Sequence, residues 1–288
     1  MAMDLDALMY PPITRARFEA CRTDGRARRI CFQTTHAGEP KRSKPPYVGT
    51  FNVPFFDTIG RSFAAGTNAE LFPNRNFTGS YWRSIQEEAE FERIEAWVKR
   101  QGSRVFLRDC LDMSVALGMN IAQGEGGLEG HTRLGALEAR AKAAPDEAAI
   151  AELVTAFVDT IRDLPGYREA KLIAAVPPRP GKPYDLPSVL AARVAAALSL
   201  TDVTERFHFA QPKGTVKEAR VEEKWAAWEQ SGLTFSPALS GRPGVIVIDD
   251  KYQSGMSIQF VASVLRAAGA GEICGICAVK TLRDTDNA

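Results

Sequence analysis

The chain has 288 residues, of which 36 are Lys or Arg and 35 are Asp or Glu, so its formal net charge at pH 7 is +1. Its 45% hydrophobic and 25% charged content is that of an ordinary globular protein with ample core, and the balanced charge argues against a global attraction to nucleic acid or acidic membranes. No apolar run reaches the roughly 18 residues that span a bilayer, and five scattered cysteines argue against a disulfide framework.

The N-terminal part, residues 1–102, is predicted to be an irregular, partly helical region of unknown role, followed by an α/β domain at residues 103–288. Prolines interrupt residues 1–102, and within them only residues 84–100 have helical apolar spacing. The first ten residues of the chain lack the basic segment followed by an apolar segment that is typical of a secretion signal, so we expect a cytoplasmic protein with no membrane contact. From Arg15 to Lys44, nine basic residues outnumber three acids, which indicates either a nucleic-acid contact or a solvated face.

From residue 104 onward, strand-like and helix-like segments alternate. Strands are predicted within residues 105–120, at 172–176, at 203–209, from 245, and at 273–280, and a glycine-rich loop or hairpin tip is predicted near 124–130. Helices are predicted at residues 147–162, 187–198, 217–229 and 258–268. This alternation predicts a doubly wound parallel sheet. Cys274 and Cys277 lie within the last apolar run, which favours buried side chains over a metal site.

The loop after residue 176 is the first of three candidate ligand loops. It carries Pro178, Arg179 and Lys182 between a predicted strand and a predicted helix, and fixed cations of this kind suit a pyrophosphate. The second loop carries Lys213 and has the composition of a mobile lid, although a plain surface connection explains it equally well.

The third loop follows the strand at residues 245–248, whose β-branched side chains predict burial on both faces. Asp249 and Asp250 end that strand, and two adjacent carboxylates that repel each other favour a ligand site over a folding role. A small hydroxyl-bearing loop then leads into a helix, whose N-terminus attracts anions. Together these features suit a sugar phosphate, whereas the simpler alternative is a helix that Ser254 caps without any ligand.

Residues 248–257 resemble the phosphoribosyl-pyrophosphate (PRPP) motif of type I phosphoribosyltransferases. The order of the three loops, with Arg220 downstream of the Lys213 loop, resembles the ComF-like branch of that family, and the likeness covers about residues 104–280. Two departures stand out. The family usually has two threonines where this chain has Gln253 and Ser254, and the chain lacks the four-cysteine zinc module with which ComF-like proteins often begin.

This resemblance implies a phosphoribosyltransferase-like fold and a role for each loop. Asp249 and Asp250 would form the catalytic pair that holds the ribose hydroxyls. Mg²⁺ would arrive with PRPP, and no dedicated metal site is implied. The substrate-binding residues would be Lys251, Gln253, Ser254, Gly255, Met256 and Ser257 around the 5-phosphate, Pro178, Arg179 and Lys182 near the pyrophosphate, and Lys213 on the lid. Lys251 is also placed to pair with one of the two carboxylates.

Two classes of function remain open. The first is an enzyme, a glycosyltransferase of the pentosyl class that transfers the phosphoribosyl group and releases pyrophosphate. The second is a non-catalytic module that senses PRPP or a nucleotide, or that docks to a partner in DNA uptake or DNA processing, as the ComF-like resemblance implies. A nucleoside triphosphatase is disfavoured because no G-x-x-x-x-G-K-[ST] loop is present. The sequence leaves a homodimer open.

Overall fold

The computed structural model describes residues 9–34, 38–124, 127–211 and 221–282. The strands are β1 (Arg29–Cys31), β2 (Lys41–Arg42), β3 (Gly49–Val53), β4 (Phe72–Pro73), β5 (Tyr81–Ile85), β6 (Val105–Leu107), β7 (Met113–Met119), β8 (Ile121–Gly124), β9 (Gly127–His131), β10 (Leu172–Ala175), β11 (Thr201–Asp202), β12 (Phe207–His208), β13 (Thr234–Phe235), β14 (Val245–Tyr252) and β15 (Ile273–Lys280). The helices are α1 (Arg15–Thr23), α2 (Gly60–Thr67), α3 (Glu88–Gln101), α4 (Arg133–Ala143), α5 (Glu147–Asp163), α6 (Leu186–Leu198), α7 (Val221–Gln230) and α8 (Met256–Ala267), with a 3₁₀ turn at Thr204–Arg206.

A seven-stranded sheet in the order β1-β6-β7-β15-β14-β10-β11 forms the centre of the fold. The strands from β7 to β11 in that order are parallel, whereas β1 and β6 extend the β7 edge in antiparallel pairing. The chain passes from β10 through α6 to one neighbour, β11, and from β14 through α8 to the opposite neighbour, β15. The strand order therefore reverses between β10 and β14, and the crevice above this switch point is where open α/β sheets bind ligands.

Helices cover both faces of this sheet, as the predicted doubly wound fold requires. Along β14, Ile246 and Ile248 pack into the core with α4, α5 and α6, whereas Val245 and Val247 pack into the core with α1, α7 and α8. The burial of all of β15 and of residues 245–248 of β14 follows from coverage on both sides. The prediction of a mixed α/β fold around a mostly parallel sheet is confirmed.

The N-terminal region contains a separate four-stranded sheet in the order β2-β3-β5-β4. Phe51 and Trp97 of this region belong to the same buried cluster as Phe106 and Ile276 of the central sheet. Strand β1, which precedes residue 103, is itself an edge strand of the central sheet. The proposed division at residues 102 and 103 stays a prediction, and residues on both sides of it share one core.

Several element predictions are wrong in detail. Residues 105–120 form two strands joined by a turn, and residues 203–209 form a 3₁₀ turn followed by β12 instead of one strand. The first predicted helix begins at Glu88, because residues 84 and 85 belong to β5. Helix α4 was not predicted. The start of the predicted helix at 217–229 lies outside the described residues, and the described part forms α7.

The cysteine pair of β15 lies as the sequence indicates. Cys274 and Cys277 are buried on opposite faces of the strand, one in each core cluster, so the two thiols cannot hold one ion together. Within the described parts of the chain, no helix combines the length and apolar content needed to cross a membrane.

Candidate functional site

A cavity of about 690 Å³ opens at the carboxyl ends of β10 and β14, above the switch point of the sheet. The two loops that the sequence singled out, after β10 and after β14, both line it. The predicted site residues at its wall are Asp249, Asp250, Lys251, Gln253, Ser254, Gly255, Met256, Ser257, Pro178, Arg179 and Lys182. Lys213 and Arg220 lie outside the described residues. The chain thus brings together residues that are about 70 positions apart in sequence.

Asp249 and Asp250 stand within β14, which continues past them to Tyr252 instead of ending at the acids as predicted. The Asp250 backbone N–H donates to Oδ1 of Asp249 at 2.9 Å. Burial, and then the charge of the neighbouring Asp250, raise the pKa of Asp249 well above its usual value. The pair therefore carries less negative charge than two exposed aspartates would, which lowers the cost of placing it in a cavity wall.

Lys142, from α4, neutralises the second carboxylate. Its Nζ lies 2.6 Å from Oδ2 of Asp250 and 3.6 Å from Oε1 of Glu138, whose side chain is fully buried. Burial alone would lower the pKa of Lys142, but the Asp250 and Glu138 carboxylates raise it, so the ammonium stays charged.

Lys251 does not pair with Asp249 or Asp250, which corrects the sequence prediction. Its Nζ lies 3.1 Å from Oε2 of Glu138. Glu138 thus lies between two lysines, Lys142 and Lys251, and together with Asp250 it balances their two positive charges.

The loop after β14 has the backbone that a phosphate cradle needs. Gly255 is the N-cap of α8 and has a φ of 77°, in the left-handed region that favours glycine. A Cβ at this position would lie 2.1 Å from Oη of Tyr252, so no other residue fits without displacing that ring. The Met256 N–H donates to Oγ of Ser254 at 3.4 Å, but Ser254 precedes the cap and does not cap the helix itself. Met256, Ser257 and Ile258 at the start of α8 line the cavity, and because the first N–H groups of a helix have no partner within the helix, an anion suits this end of the cavity.

Three contacts hold this loop in place. Nη2 of Arg28, from the N-terminal region, donates to the Ser254 carbonyl at 3.0 Å. Nε2 of Gln259 donates to the Gly255 carbonyl at 3.1 Å. The Tyr252 hydroxyl donates to Oδ2 of Asp109 at 2.9 Å. Each anchor lies beneath or beside the loop, so its backbone conformation is set before any ligand arrives.

Asp109 makes this anchor sensitive to pH. Burial raises its pKa from 3.8 to about 6, against the opposing effect of its hydrogen bonds with the Leu111 N–H and with Ser114 and Tyr252. Because the folded pKa exceeds the unfolded one, the stability that Asp109 contributes is complete below about pH 4 and is lost as the pH rises to about 6.

The stability of an Asp109→Asn variant should therefore lack the pH dependence that Asp109 causes. Relative to the wild type, its free energy of unfolding should rise by up to about 3 kcal/mol between pH 4 and pH 7. Urea unfolding at a series of pH values measures this difference. A constant difference between the two proteins over pH 4 to 6 would show that Asp109 titrates normally.

The loop after β10 brings two cations to the same cavity. Arg179 and Lys182 both line the cavity, and the Lys182 N–H donates to the Arg179 carbonyl at 3.2 Å in a tight turn. Nζ of Lys182 also donates to Oδ1 of Asp185 at 2.7 Å. Asp185 in turn caps α6 through the Ser188 N–H. Lys182 is thus paired with the Asp185 carboxylate, and an incoming anion would compete with that carboxylate for the ammonium of Lys182.

Sequence reasoning missed several residues at this site. Lys142, Asp185, Lys224 and Trp228 line the cavity, and Arg28 supports its floor. Only Asp185 had a local signal, since it precedes a helix with Ser188 three residues later. Lys142 and Trp228 reach the site from helices that are distant in sequence.

The arrangement suits a ligand with anionic and hydroxyl groups. The cavity lining includes two carboxyls that can accept hydrogen bonds from hydroxyls, and the N-terminus of α8. It also includes the cations Arg179 and Lys182. In the described residues, no group of three or more His, Cys, Asp or Glu side chains is placed to hold a metal ion.

Comparison with known proteins yields little. No protein-family model and no curated protein matches the chain. The purine phosphoribosyltransferase from Pyrococcus horikoshii Ot3 is 14% identical over 48% of this chain and 84% of its own length, with a TM-score of 0.28. A structure of the allosteric regulatory enzyme of purine biosynthesis is 12% identical over 72% of this chain and 41% of its own length, with a TM-score of 0.27. Likenesses this weak carry no argument, and the ComF-like assignment stays a prediction.

Proposed function

We propose that this chain binds PRPP or a closely related ribose phosphate at the cavity between β10 and β14. One observation carries the proposal: a carboxylate pair, a glycine-capped helix N-terminus and a cationic loop line the same cavity at the switch point of a parallel sheet. Each element matches one part of such a ligand, namely the ribose hydroxyls, the 5-phosphate and the pyrophosphate.

In this proposal, each group of residues binds a different part of the ligand. Asp249 and Asp250 accept hydrogen bonds from the 2- and 3-hydroxyls of the ribose. The N–H groups at the start of α8, with the hydroxyl of Ser257, bind the 5-phosphate. Arg179 offers planar paired donors to the pyrophosphate, and Lys182 exchanges Asp185 for the same group.

The candidate reaction is transfer of the phosphoribosyl group. A nitrogen nucleophile attacks the anomeric carbon as the bond from that carbon to the pyrophosphate oxygen breaks, and the electron pair leaves with the pyrophosphate. The nucleophile loses its proton to solvent. Asp249 and Asp250 stabilise the positive charge that develops on the ribose, and Arg179 stabilises the leaving group.

Mg²⁺ is proposed to enter with the ligand. The carboxyl oxygens of Asp249 and Asp250 are of the type that this hard cation prefers, and the ion would neutralise the pyrophosphate charge. Because the described residues hold no larger cluster of acidic ligands, most of its coordination would come from the ligand and water.

The second candidate is a sensor that binds PRPP or a nucleotide without turnover. The ion pairs of the site favour it, since Lys142 holds Asp250 at 2.6 Å and Asp185 holds Lys182 at 2.7 Å. A site whose charges are already paired binds a ligand by exchange of partners. Such exchange moves side chains, which is what a sensor needs.

Isothermal titration of the full chain with PRPP and Mg²⁺ tests both candidates. We expect saturable one-to-one binding that inorganic phosphate weakens by competition. Binding together with pyrophosphate release, over a panel of purine and pyrimidine bases and amines, supports the transferase. Binding without release supports the sensor, and absence of binding at millimolar PRPP overturns both.

A further inference from the structure

The outer face of the N-terminal sheet forms a second candidate binding site, which shares no lining residue with the first. In antiparallel strands, residues paired across the ladder lie on the same face. Phe72, Trp82 and Asn52 are paired in this way across β4, β5 and β3, and they form one row. Lys41, Thr50 and Ser84 form the next row across β2, β3 and β5.

This face points away from the core. In β3, Gly49, Phe51 and Val53 are buried, whereas Thr50 is half-buried and Asn52 is exposed. Phe72 is 48% exposed and Trp82 is 36% exposed, although side chains of this size usually pack inside. A cavity of about 770 Å³ over the face is lined by both rings, by Thr50 and Asn52, and by the loop at residues 73–76.

The chemistry of this surface combines aromatic rings, amides and cations. Paired strands place the Cβ atoms of Phe72 and Trp82 about 5 Å apart, so that two successive bases could stack on the two rings. Asn52, Asn74 and Asn76 bring amide groups to the cavity wall, where base edges find donors and acceptors.

The charges on the face are positive. Arg75 lines the cavity, and Lys41 lies in the second row. Among the described residues that line this cavity, none carries a carboxylate. The adjoining groove beyond Ser84 does contain Glu87 and Glu90, but Glu90 is paired with Arg83 at 2.7 Å.

We propose that a single strand of nucleic acid lies across this face, with bases stacked on Trp82 and Phe72 and with phosphates near Lys41 and Arg75. Neutral sugars also stack on exposed rings, but they gain nothing from two cations beside a cavity whose described lining carries no carboxylate. Double-stranded DNA buries the faces of its bases and cannot use the rings. The combination of both features selects a flexible polyanion that carries bases.

Fluorescence anisotropy of the full chain with a labelled oligothymidylate of about 12 nucleotides tests the proposal. We expect binding at low salt that weakens steeply as salt is added. Trp82→Ala and, separately, Phe72→Ala should each raise the dissociation constant by about fivefold to a hundredfold. Trp82→Phe should retain most of the affinity, because it keeps a ring. Lys41→Gln and Arg75→Gln should each lower the slope of the salt dependence by about 0.7.

Tyr47→Ala is the matched control, since Tyr47 is an exposed aromatic (50%) that does not line the cavity. It should bind like the wild type, and circular dichroism should show that every variant compared is folded. Three results would overturn the proposal: no binding at low salt, equal binding by wild type and both alanine variants, or tighter binding of a duplex than of the single strand. Capture of neutral oligosaccharides in place of the oligonucleotide would also overturn it and would assign the face to sugars.

Discussion

A Gly255→Ala variant should lose both stability and ligand binding. The φ of 77° at this position costs an alanine about 1–2 kcal/mol. The new Cβ would also lie 2.1 Å from the Tyr252 hydroxyl, and Tyr252 is only 3% exposed, so its ring has no space into which to move. Displacing the ring breaks the hydrogen bond to Asp109, which adds about 1 kcal/mol. We expect urea unfolding to show a total loss of about 2–4 kcal/mol.

The same substitution should abolish PRPP binding in isothermal titration, because the N–H groups at the start of α8 change direction when Gly255 moves. Gly241→Ala is the matched control. Its φ of 74° is nearly the same, but no atom lies within 4 Å of the added Cβ. That variant should lose only the backbone contribution of about 1–2 kcal/mol and should bind normally. Equal losses of unfolding free energy in the two variants would show that the contact of the added Cβ with Tyr252 does not affect stability.

Several strands and helices of the central sheet were predictable because their signals are local. Strand β15 has the predicted bounds, and α5 and α6 differ from prediction by one residue at one end. These segments have long apolar runs or clear helical spacing, and burial on both faces of the sheet produces that pattern directly. The parallel order followed from the alternation of the two kinds of element.

The N-terminal sheet was not predictable from the same signals. Strands β2 and β4 have two residues each, too few for an alternating pattern, and β4 contains Pro73. Their pairing with β3 and β5 depends on a core that includes Phe51 and Trp97 and extends into the central sheet. An edge strand of two residues exists only because a neighbouring strand is already in place.

The loops of the candidate site were predictable, but their charge compensation was not. Asp249 lies near the carboxyl end of β14, Gly255 follows β14 and Arg179 follows β10, and parallel strands bring their carboxyl ends to one edge. Lys142 has no such signal. With Glu138 it forms an i,i+4 pair, which in a sequence indicates an exposed helix, yet Glu138 is fully buried and Lys142 reaches Asp250. The structure therefore adds a cation to a wall that the sequence had described as acidic.

An Asp250→Asn variant should bind PRPP at least about tenfold more weakly while remaining folded. The lost carboxylate removes a charged acceptor for a ribose hydroxyl, and such a hydrogen bond contributes about 1.5–3 kcal/mol. The fold should survive because Lys142 keeps Glu138 as a partner at 3.6 Å. Asp250→Asn removes the charge of Asp250, which is the second cause of the raised pKa of Asp249, whereas burial, the larger cause, remains. Isothermal titration measures the affinity and urea unfolding the stability.

Loss of the Lys142–Asp250 contact would also explain a lower PRPP affinity of Asp250→Asn. A double-mutant cycle separates this explanation from direct contact between Asp250 and the ribose. If Asp250 matters only because it positions Lys142, then adding Asp250→Asn to a Lys142→Met background should cost no further affinity. If Asp250 contacts the ribose, the double variant should still bind about tenfold more weakly than Lys142→Met alone. We expect the second result, because the Asp250 carboxylate lies at the cavity wall and has a second oxygen for a hydroxyl. Equal affinities for Lys142→Met and the double variant would remove Asp250 from direct ligand contact and leave Asp249 as the carboxyl that meets the ribose.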